Sequence, residues 1–254
     1  LTEDEAVVFN PILHPAATPA LHDSDIDRDG HQPDDLLTLI ASSNMTTAGE
    51  ARVDLLPLEA RYDATVSELL NQLADWQSYT DTFDYTVSDG NGGTDTGKVT
   101  ITVTGVNDAP TSTVTVTDGD VYESGLATGT APSAAAREAS GTLAYADVDG
   151  DSLQVVVDGT VVGTLTGNAA DTIGSYTGSH YGTITFKGDG SWVYVLNDPV
   201  DNDSPAAIAA GATGTQGPDT FQVKVYDGTA YSTAQDLTID IHDDAPVPIT
   251  PKAG

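Results

Sequence analysis

Apolar and polar residues alternate with period two along most of this chain. Phe83, Tyr85 and Val87 alternate with Asp84, Thr86 and Ser88, and Val99, Ile101 and Val103 alternate with Thr100 and Thr102. Phe221, Val223 and Val225, then Leu237, Ile239 and Ile241, repeat the arrangement. One apolar face per segment predicts half-buried antiparallel strands. Residues 183–186 and 192–196 flank Lys187-Gly188-Asp189-Gly190-Ser191, which predicts a hairpin with a glycine-containing loop. Residues 155–157 and 161–163 flank Asp158-Gly159, a two-residue hairpin signal. A helical period is confined to residues 67–77. There Leu69, Leu70, Leu73 and Trp76 share one face, with Ser67 or Thr65 as N-cap. That stripe predicts a short helix packed over one end of a sandwich, with a partner-binding helix as the alternative. The Ala-rich run 205–212 predicts a helical turn, and 128–139 a loop. Short strands punctuated by Gly, Asp and Asn turns predict β-sandwiches with Greek-key connections.

The strand patterns recur in order. Asp81-Thr82-Phe83 leads through Tyr85-Thr86-Val87-Ser88-Asp89-Gly90 to Gly105-Val106-Asn107-Asp108-Ala109-Pro110. Asp219-Thr220-Phe221 leads through Val225-Tyr226-Asp227-Gly228 to His242-Asp243-Asp244-Ala245-Pro246. The two stretches match over roughly thirty positions. Asp25-Ile26-Asp27-Arg28-Asp29 is echoed by Asp147-Val148-Asp149-Gly150-Asp151, and Glu3 by Glu123. Two diverged copies of one unit are expected: a sandwich over 1–108, a second over 109–246, and a linker over 247–254. The chain starts in mid-pattern, and neither a signal peptide nor an apolar run long enough to span a bilayer is evident, so it is expected to be a segment of something longer.

Charge changes the picture. The chain has 254 residues, 39 acidic side chains against 8 basic ones, and a formal net charge of −31. Nucleic acid and anionic membranes are poor partners for such a surface. So acidic a composition suggests disorder, but the alternating Val, Ile, Leu, Tyr and Thr argue for a folded protein partly neutralised by cations. Cysteine is absent, which excludes disulfide staples and thiolate metal sites.

The acids sit at module ends and strand-to-strand turns, where a hard cation would be bound by oxygens. Calcium takes six to eight of them at roughly 2.3–2.6 Å. An Asp-x-Asp-x-Asp run can turn alternate carboxylates toward one point, and crowding them is unfavourable without the ion. Neither run is an EF-hand: Leu36 stands where the first loop needs its closing glutamate, and Ser152 where the second needs glycine. An isolated aspartate would read as a turn former; the ordered, recurring set points to calcium. His22 and His31 flank the first run and are a zinc alternative, but scattered surface histidines fit the composition better. Ser191 and Ser204 lack the surroundings of a hydrolase nucleophile, and no enzyme activity is expected. Trp192 lies mid-strand and reads as core before it reads as a sugar-stacking platform.

Val121-Tyr122-Glu123-Ser124-Gly125, Ala139-Ser140-Gly141-Thr142-Leu143, the run 146–151, Tyr181-Gly182-Thr183-Ile184 and Gly190-Ser191-Trp192-Val193-Tyr194 together resemble a VCBS repeat of large bacterial adhesins. The first unit resembles bacterial cadherin-like domains through Thr2-Glu3-Asp4, the acidic run 23–29 and the stretch from Tyr85 to Pro110; residues 31–77 depart from that pattern. The resemblance implies tandem Ig-like or cadherin-like sandwiches in the extender region of a surface adhesin, often of the RTX type, with calcium at inter-domain junctions. It implies Glu3 and Glu123 as ligands at the heads of the modules and the pairs Asp25, Asp27 and Asp147, Asp149 in mid-module. Asp89 and Asp227 would serve from late turns, and Asn107 and Asp108 at the hinge. Asp243 and Asp244 hold the matching places in the second hinge.

The expected function is mechanical: a monomeric, calcium-stiffened spacer at the bacterial cell surface, contributing to adhesion and biofilm formation. Its partners are neighbouring repeats of the same chain, with a surface glycan or protein held by other domains. The alternative is a glycan- or peptide-binding module of the same adhesin, with its site in 31–77.

Overall fold

A computed structural model describes residues 1–12, 37–200 and 215–244. Asp25, Asp27, His22, His31, the run 205–212 and the linker 247–254 lie outside the described residues. The described residues form seventeen strands in four sheets and almost no helix. No helix among them is long and apolar enough to cross a membrane. The chain divides into two compact units, Leu1–Asp108 with Val148–Gly150, and Ala109–Asp147 with Asp151–Gly254.

In the first unit the strands are β1 (Ala6–Phe9), β2 (Thr38–Leu39), β3 (Ser42–Thr46), β4 (Arg52–Leu56), β5 (Glu59–Asp63), β6 (Ser78–Ser88) and β7 (Thr94–Thr104). One sheet has the order β1-β5-β4-β3 and the other β2-β6-β7. Strands β6 and β7 pair antiparallel from Ser78 opposite Thr104 to Ser88 opposite Thr94, as their alternation predicts. Phe83, Tyr85 and Val87 point inward from β6 and meet Val53, Leu55, Ala60 and Tyr62 of the facing sheet. Burying each large apolar side chain of this kind contributes about 1.5–3 kcal/mol. Asp81 has the same inward parity, so this strand carries a carboxylate into the core.

In the second unit the strands are β8 (Thr111–Asp118), β9 (Asp120–Tyr122), β10 (Glu138–Ala146), β11 (Gln154–Val157), β12 (Thr160–Thr164), β13 (Thr172–Tyr176), β14 (Gly182–Lys187), β15 (Ser191–Leu196), β16 (Thr215–Tyr226) and β17 (Gln235–His242). Their sheets run β13-β14-β15-β10-β8 and β12-β11-β16-β17-β9. The β17–β9 pair is parallel, while β17 meets β16 antiparallel. The predicted hairpins at 158–159 and 187–191 form. Asp158 (φ 48°) and Gly159 (φ 82°) both take the left-handed conformation that a tight two-residue hairpin turn requires. Trp192, Tyr194, Leu196, Phe186 and Ile184 form the core with Phe221, Val223, Val225, Leu237, Ile239 and Ile241. Trp192 is a core residue, as its mid-strand position predicts. The expected loop at 128–139 is a succession of turns, with a short 3-10 turn at Ala135–Arg137 before β10 begins.

The helix expected over 67–77 does not form. A single 3-10 turn, Leu70–Gln72, takes its place. Ser67 does cap it: its Oγ accepts the Leu70 N–H at 3.0 Å and donates to the Gly49 carbonyl at 2.6 Å. Leu73 then turns to extended backbone (φ −81°, ψ 113°). The cause is the neighbouring chain. The Gly105 N–H donates to the Gln77 carbonyl (3.1 Å), tying the segment to the end of strand β7. Gly105 also packs so closely on the Leu73 and Ala74 carbonyls that a Cβ there would lie 2.1 Å from each. So short a helix has little stability of its own to resist this. Leu70 and Ala74 are buried and Leu73 packs against the core, but Leu69 is 42% exposed and Trp76 76% exposed. Trp76 is therefore not the core residue that the stripe suggests.

Gly141 pairs with Trp192 across β10 and β15, and a Cβ at this glycine would fall 2.0 Å from the Thr115 carbonyl and 2.5 Å from the indole. Gly141→Ala is expected to cost about 1–3 kcal/mol by overpacking. Denaturant unfolding followed by Trp192 fluorescence measures it, and an unchanged midpoint would contradict the packing described.

Candidate metal centre

The loop between β10 and β11 carries Asp147, Asp149 and Asp151, each offering a carboxylate oxygen within 4.8 Å of the others. Gly150, at φ 73°, lets the loop reverse. The Asp151 N–H donates to Asp147 Oδ1 (3.3 Å), whereas Asp147 Oδ2 is buried with no hydrogen-bond donor among the described residues. Within the first unit, the Asp108 N–H donates to Asp149 Oδ2 at 2.7 Å. Asp108 Oδ2 accepts the Asn71 side-chain amide at 3.3 Å, and the Asn107 side-chain amide donates to the Asp108 carbonyl at 3.1 Å.

Glu3 is buried, and its Oε1 accepts the Val106 N–H. The head of the first unit and its hinge strand therefore meet, as the sequence order suggests. Glu3 Oε2 has no donor among the described residues. Glu123 holds the corresponding place in the second unit. Its Oε1 accepts the Val200 N–H at 2.6 Å, the Asp244 N–H also donates to it, and the Asp243 carboxylate lies against it. Burial raises the Glu123 carboxyl above its ordinary pKa; the two amides oppose this, and the Asp243 charge adds to it. The Asp244 carboxylate accepts the Thr130 N–H (2.7 Å) and hydroxyl. Asp89 and Asp227 are engaged by their own turns. Asp89 accepts the Asn91 and Gly93 amides at 2.7 and 2.9 Å, and Asp227 the Thr229 and Ala230 amides at 2.6 Å each.

These residues fit a hard divalent cation. Two oxygens on opposite sides of one calcium lie about 5 Å apart, and the Asp147, Asp149 and Asp151 oxygens satisfy that limit. Every donor in the cluster is a carboxylate oxygen. A buried carboxylate oxygen without a donor is costly, and a cation would relieve that cost at Glu3 Oε2 and Asp147 Oδ2, which have no donor among the described residues. Asp151 joins Asp147 and Asp149 beyond the pair that the adhesin resemblance supplies; its signal was the third position of the Asp-x-Asp-x-Asp run.

Sequence reasoning missed a second kind of buried acid. Asp81 accepts the Tyr62 hydroxyl (2.8 Å), the Gly49 N–H (3.2 Å), the Thr82 N–H (2.9 Å) and the Thr47 hydroxyl. Asp219, its counterpart in the repeat, accepts the Tyr194 hydroxyl (2.9 Å), the Tyr181 N–H (3.1 Å) and His180. Burial, reinforced by the aspartate's hydrogen bond and charge, pushes both tyrosine phenols well above their ordinary range. The signal was present: Asp81 and Asp219 lead Asp-Thr-Phe at the parity of the inward-facing Phe83 and Phe221.

The comparisons with known proteins agree with this architecture where they apply. Residues 2–102 match the family model of a bacterial Ig domain. The first unit has an Ig-like fold. No curated protein matches the chain. Among solved structures, the chain is similar to protocadherin gammaB7 EC3-6 (10% identity, 86% of this chain and 41% of that one, TM-score 0.41). Mouse cadherin-23 EC22-24 is similar at 14% identity (82% and 52% covered, TM-score 0.34), and the human desmocollin-1 ectodomain at 11% (82% and 34%, TM-score 0.36). The chain spans 41% of the length of the protocadherin structure.

Tyr62→Phe removes one donor from the buried Asp81 without opening a cavity. It is expected to destabilise the first unit by about 1–3 kcal/mol, read by calorimetry. A double-mutant cycle with Asp81→Asn should return a non-zero coupling; additive effects would mean that the hydroxyl and carboxylate act independently.

Proposed function

We propose that this chain is a calcium-stiffened extender segment of a bacterial surface adhesin, projecting binding domains away from the cell. The observation that carries this reading is the pair of buried, donorless carboxylate oxygens, Glu3 Oε2 and Asp147 Oδ2, in a chain of net charge −31. An Ig-like frame is typically non-enzymatic, which suits a mechanical role. The segment works as a monomer outside the cell, beside neighbouring repeats of its own polypeptide, and a glycan or protein target is held by other domains.

Asp147, Asp149 and Asp151 would hold one ion. Glu3 with Asn107 and Asp108 at the first hinge, and Glu123 with Asp243 and Asp244 at the second, are the further ligands of this reading, together with Asp25, Asp27, Asp89 and Asp227. Bound calcium supplies positive charge and oxygen coordination. This chain's residues do the rest. The Val106 N–H orients Glu3, the Val200 and Asp244 amides orient Glu123, and Gly150 lets the three loop carboxylates converge. Crowded carboxylates repel when no cation is present, so ion binding couples to the order of the loop and hinge backbone.

A glycan- or peptide-binding role is the second reading. The exposed Trp76 favours it, because an amphipathic ring in water is a ready stacking surface. Saturable glycan or peptide binding lost in Trp76→Ala would support it over a pure spacer.

Calcium at a hundredfold excess over its dissociation constant should stabilise the protein by about 2.7 kcal/mol per independent site. Scanning calorimetry with calcium and with chelator measures this, and equal melting temperatures would sink the calcium reading. Asp147→Asn should weaken binding at least tenfold by calorimetric titration. In chelator the same variant should be no less stable than the parent, because it removes repulsion. Small-angle scattering should show a longer maximum dimension with calcium than with chelator; identical profiles would remove the stiffening role.

A further inference from the structure

Among the described residues, the second unit holds a histidine contact on its buried aspartate that the first does not show. His180 lies in the 177–181 turn between β13 and β14, with its side chain 14% exposed. Its Nε2 stands 2.6 Å from Asp158 Oδ2 and its Nδ1 2.5 Å from Asp219 Oδ1. A neutral imidazole has one N–H and one lone pair, so one carboxylate would face a lone pair. Only the imidazolium donates at both nitrogens. The ring also stacks on Phe221, with centroids 3.9 Å apart and planes at 29°, a position that favours a cation.

The three anchors belong to different parts of the sandwich. Asp158 sits in the β11–β12 turn, and its other oxygen accepts the Gln222 N–H of β16 at 2.8 Å. Asp219 is on β16 and is almost fully buried. His180 follows β13. Strands β12 and β13 are the outermost strands of their respective sheets and pack on one another through Gly163 and Gly174, so this contact lies where the edges of the two sheets meet. We infer that His180 is a pH-operated clasp that, as an imidazolium, ties the β11–β12 turn to the buried Asp219, and that loosens when it loses its proton, because one of the two carboxylates then faces a lone pair.

The groups facing the ring are Asp158 from the turn, Asp219 and Phe221 from β16, and Tyr176 from β13, whose ring centroid lies 6.0 Å away. Tyr194 of β15 acts through Asp219. Burial, then the charge and hydrogen bond of Asp158, raise the Tyr176 phenol above its ordinary value, so neither tyrosine competes near neutral pH. Burial lowers the basicity of His180, but the hydrogen bonds and charges of Asp158 and Asp219 outweigh it and raise its pKa overall. A histidine whose folded-state pKa is raised contributes its full stability below the unfolded value of about 6.5 and loses it as pH climbs through the folded value. The first unit supplies the contrast: Asp81 is held by Tyr62, Thr47 and backbone amides, none of which titrates near neutrality. Among the described residues, a histidine answers the Asp-Thr-Phe carboxylate in the second unit and not in the first.

The chain has two tryptophans, Trp76 in the first unit and the buried Trp192 in the second. In a Trp76→Phe background, Trp192 reports the second unit alone. The full chain is held in constant saturating calcium, and its denaturant midpoint is followed by fluorescence between pH 6 and 9. The midpoint should fall as pH rises. With His180→Gln it should be flat and match the parent's high-pH value. A variant that retains the parent's slope would overturn the clasp. Long-range proton–nitrogen NMR of the parent decides independently, even if the variant does not fold. His180 should titrate above the ordinary histidine value of about 6.5. A midpoint at or below 6.5 would overturn the proposal.

Discussion

A carboxylate inside a β-sandwich must be given donors or a cation, and much of this structure follows from that constraint. Moving an ionised carboxylate out of water without compensation costs far more than one apolar contact returns. This chain places Glu3, Asp81, Glu123 and Asp219 in buried positions. Asp81 and Asp219 are answered by tyrosine hydroxyls and backbone amides. Glu123 is answered by amides at Val200 and Asp244, but Glu3 only in part, by the Val106 amide at one oxygen, its other oxygen having no donor among the described residues. That difference separates acids that organise a core from acids suited to an ion.

The repeated Asp-Thr-Phe segment shows how one architectural problem is met twice with different chemistry. In both units a tyrosine of the facing sheet donates to the aspartate, and a phenylalanine two residues on packs beside it. Hydrogen bonds of this type to a charged group contribute about 1.5–3 kcal/mol and leave a large penalty if broken. The remaining lone pairs are where the copies diverge. Thr47 and Gly49 fill them in the first unit, and His180 and Tyr181 in the second. Substituting a titrating donor for a neutral one keeps the fold and adds a dependence on pH.

Strands and hairpins were legible in the sequence because period-two alternation is a local signal that packing then reinforces. The β6–β7 ladder and the Asp158-Gly159 turn follow directly from it. The 67–77 segment was not, because its outcome depends on Gly105, distant in sequence, whose contact with the Leu73 and Ala74 carbonyls replaces a helix with turns. Leu70, Leu73 and Ala74 still obey the helical spacing, which is why the pattern was present at all. Among the acids, Asp147 and Asp149 could be read from spacing, and Asp151 follows from the same run. The role of His180 could not. Its partners lie 22 and 39 residues away, and only the folded sheets bring them together.

The net charge of −31 now has a structural interpretation that composition alone did not supply. Acids engaged by their own turns, such as Asp89 and Asp227, shape hairpins whether or not a cation is present. Acids with a buried oxygen that no described residue answers, such as Glu3 and Asp147, carry a desolvation cost that a bound cation would relieve. A polypeptide that mixes the two can keep its sandwiches folded while leaving loops and hinges responsive to ions. With no cation between them, crowded carboxylates repel, because attraction to a cation and repulsion between neighbouring acids are governed by the same short distances.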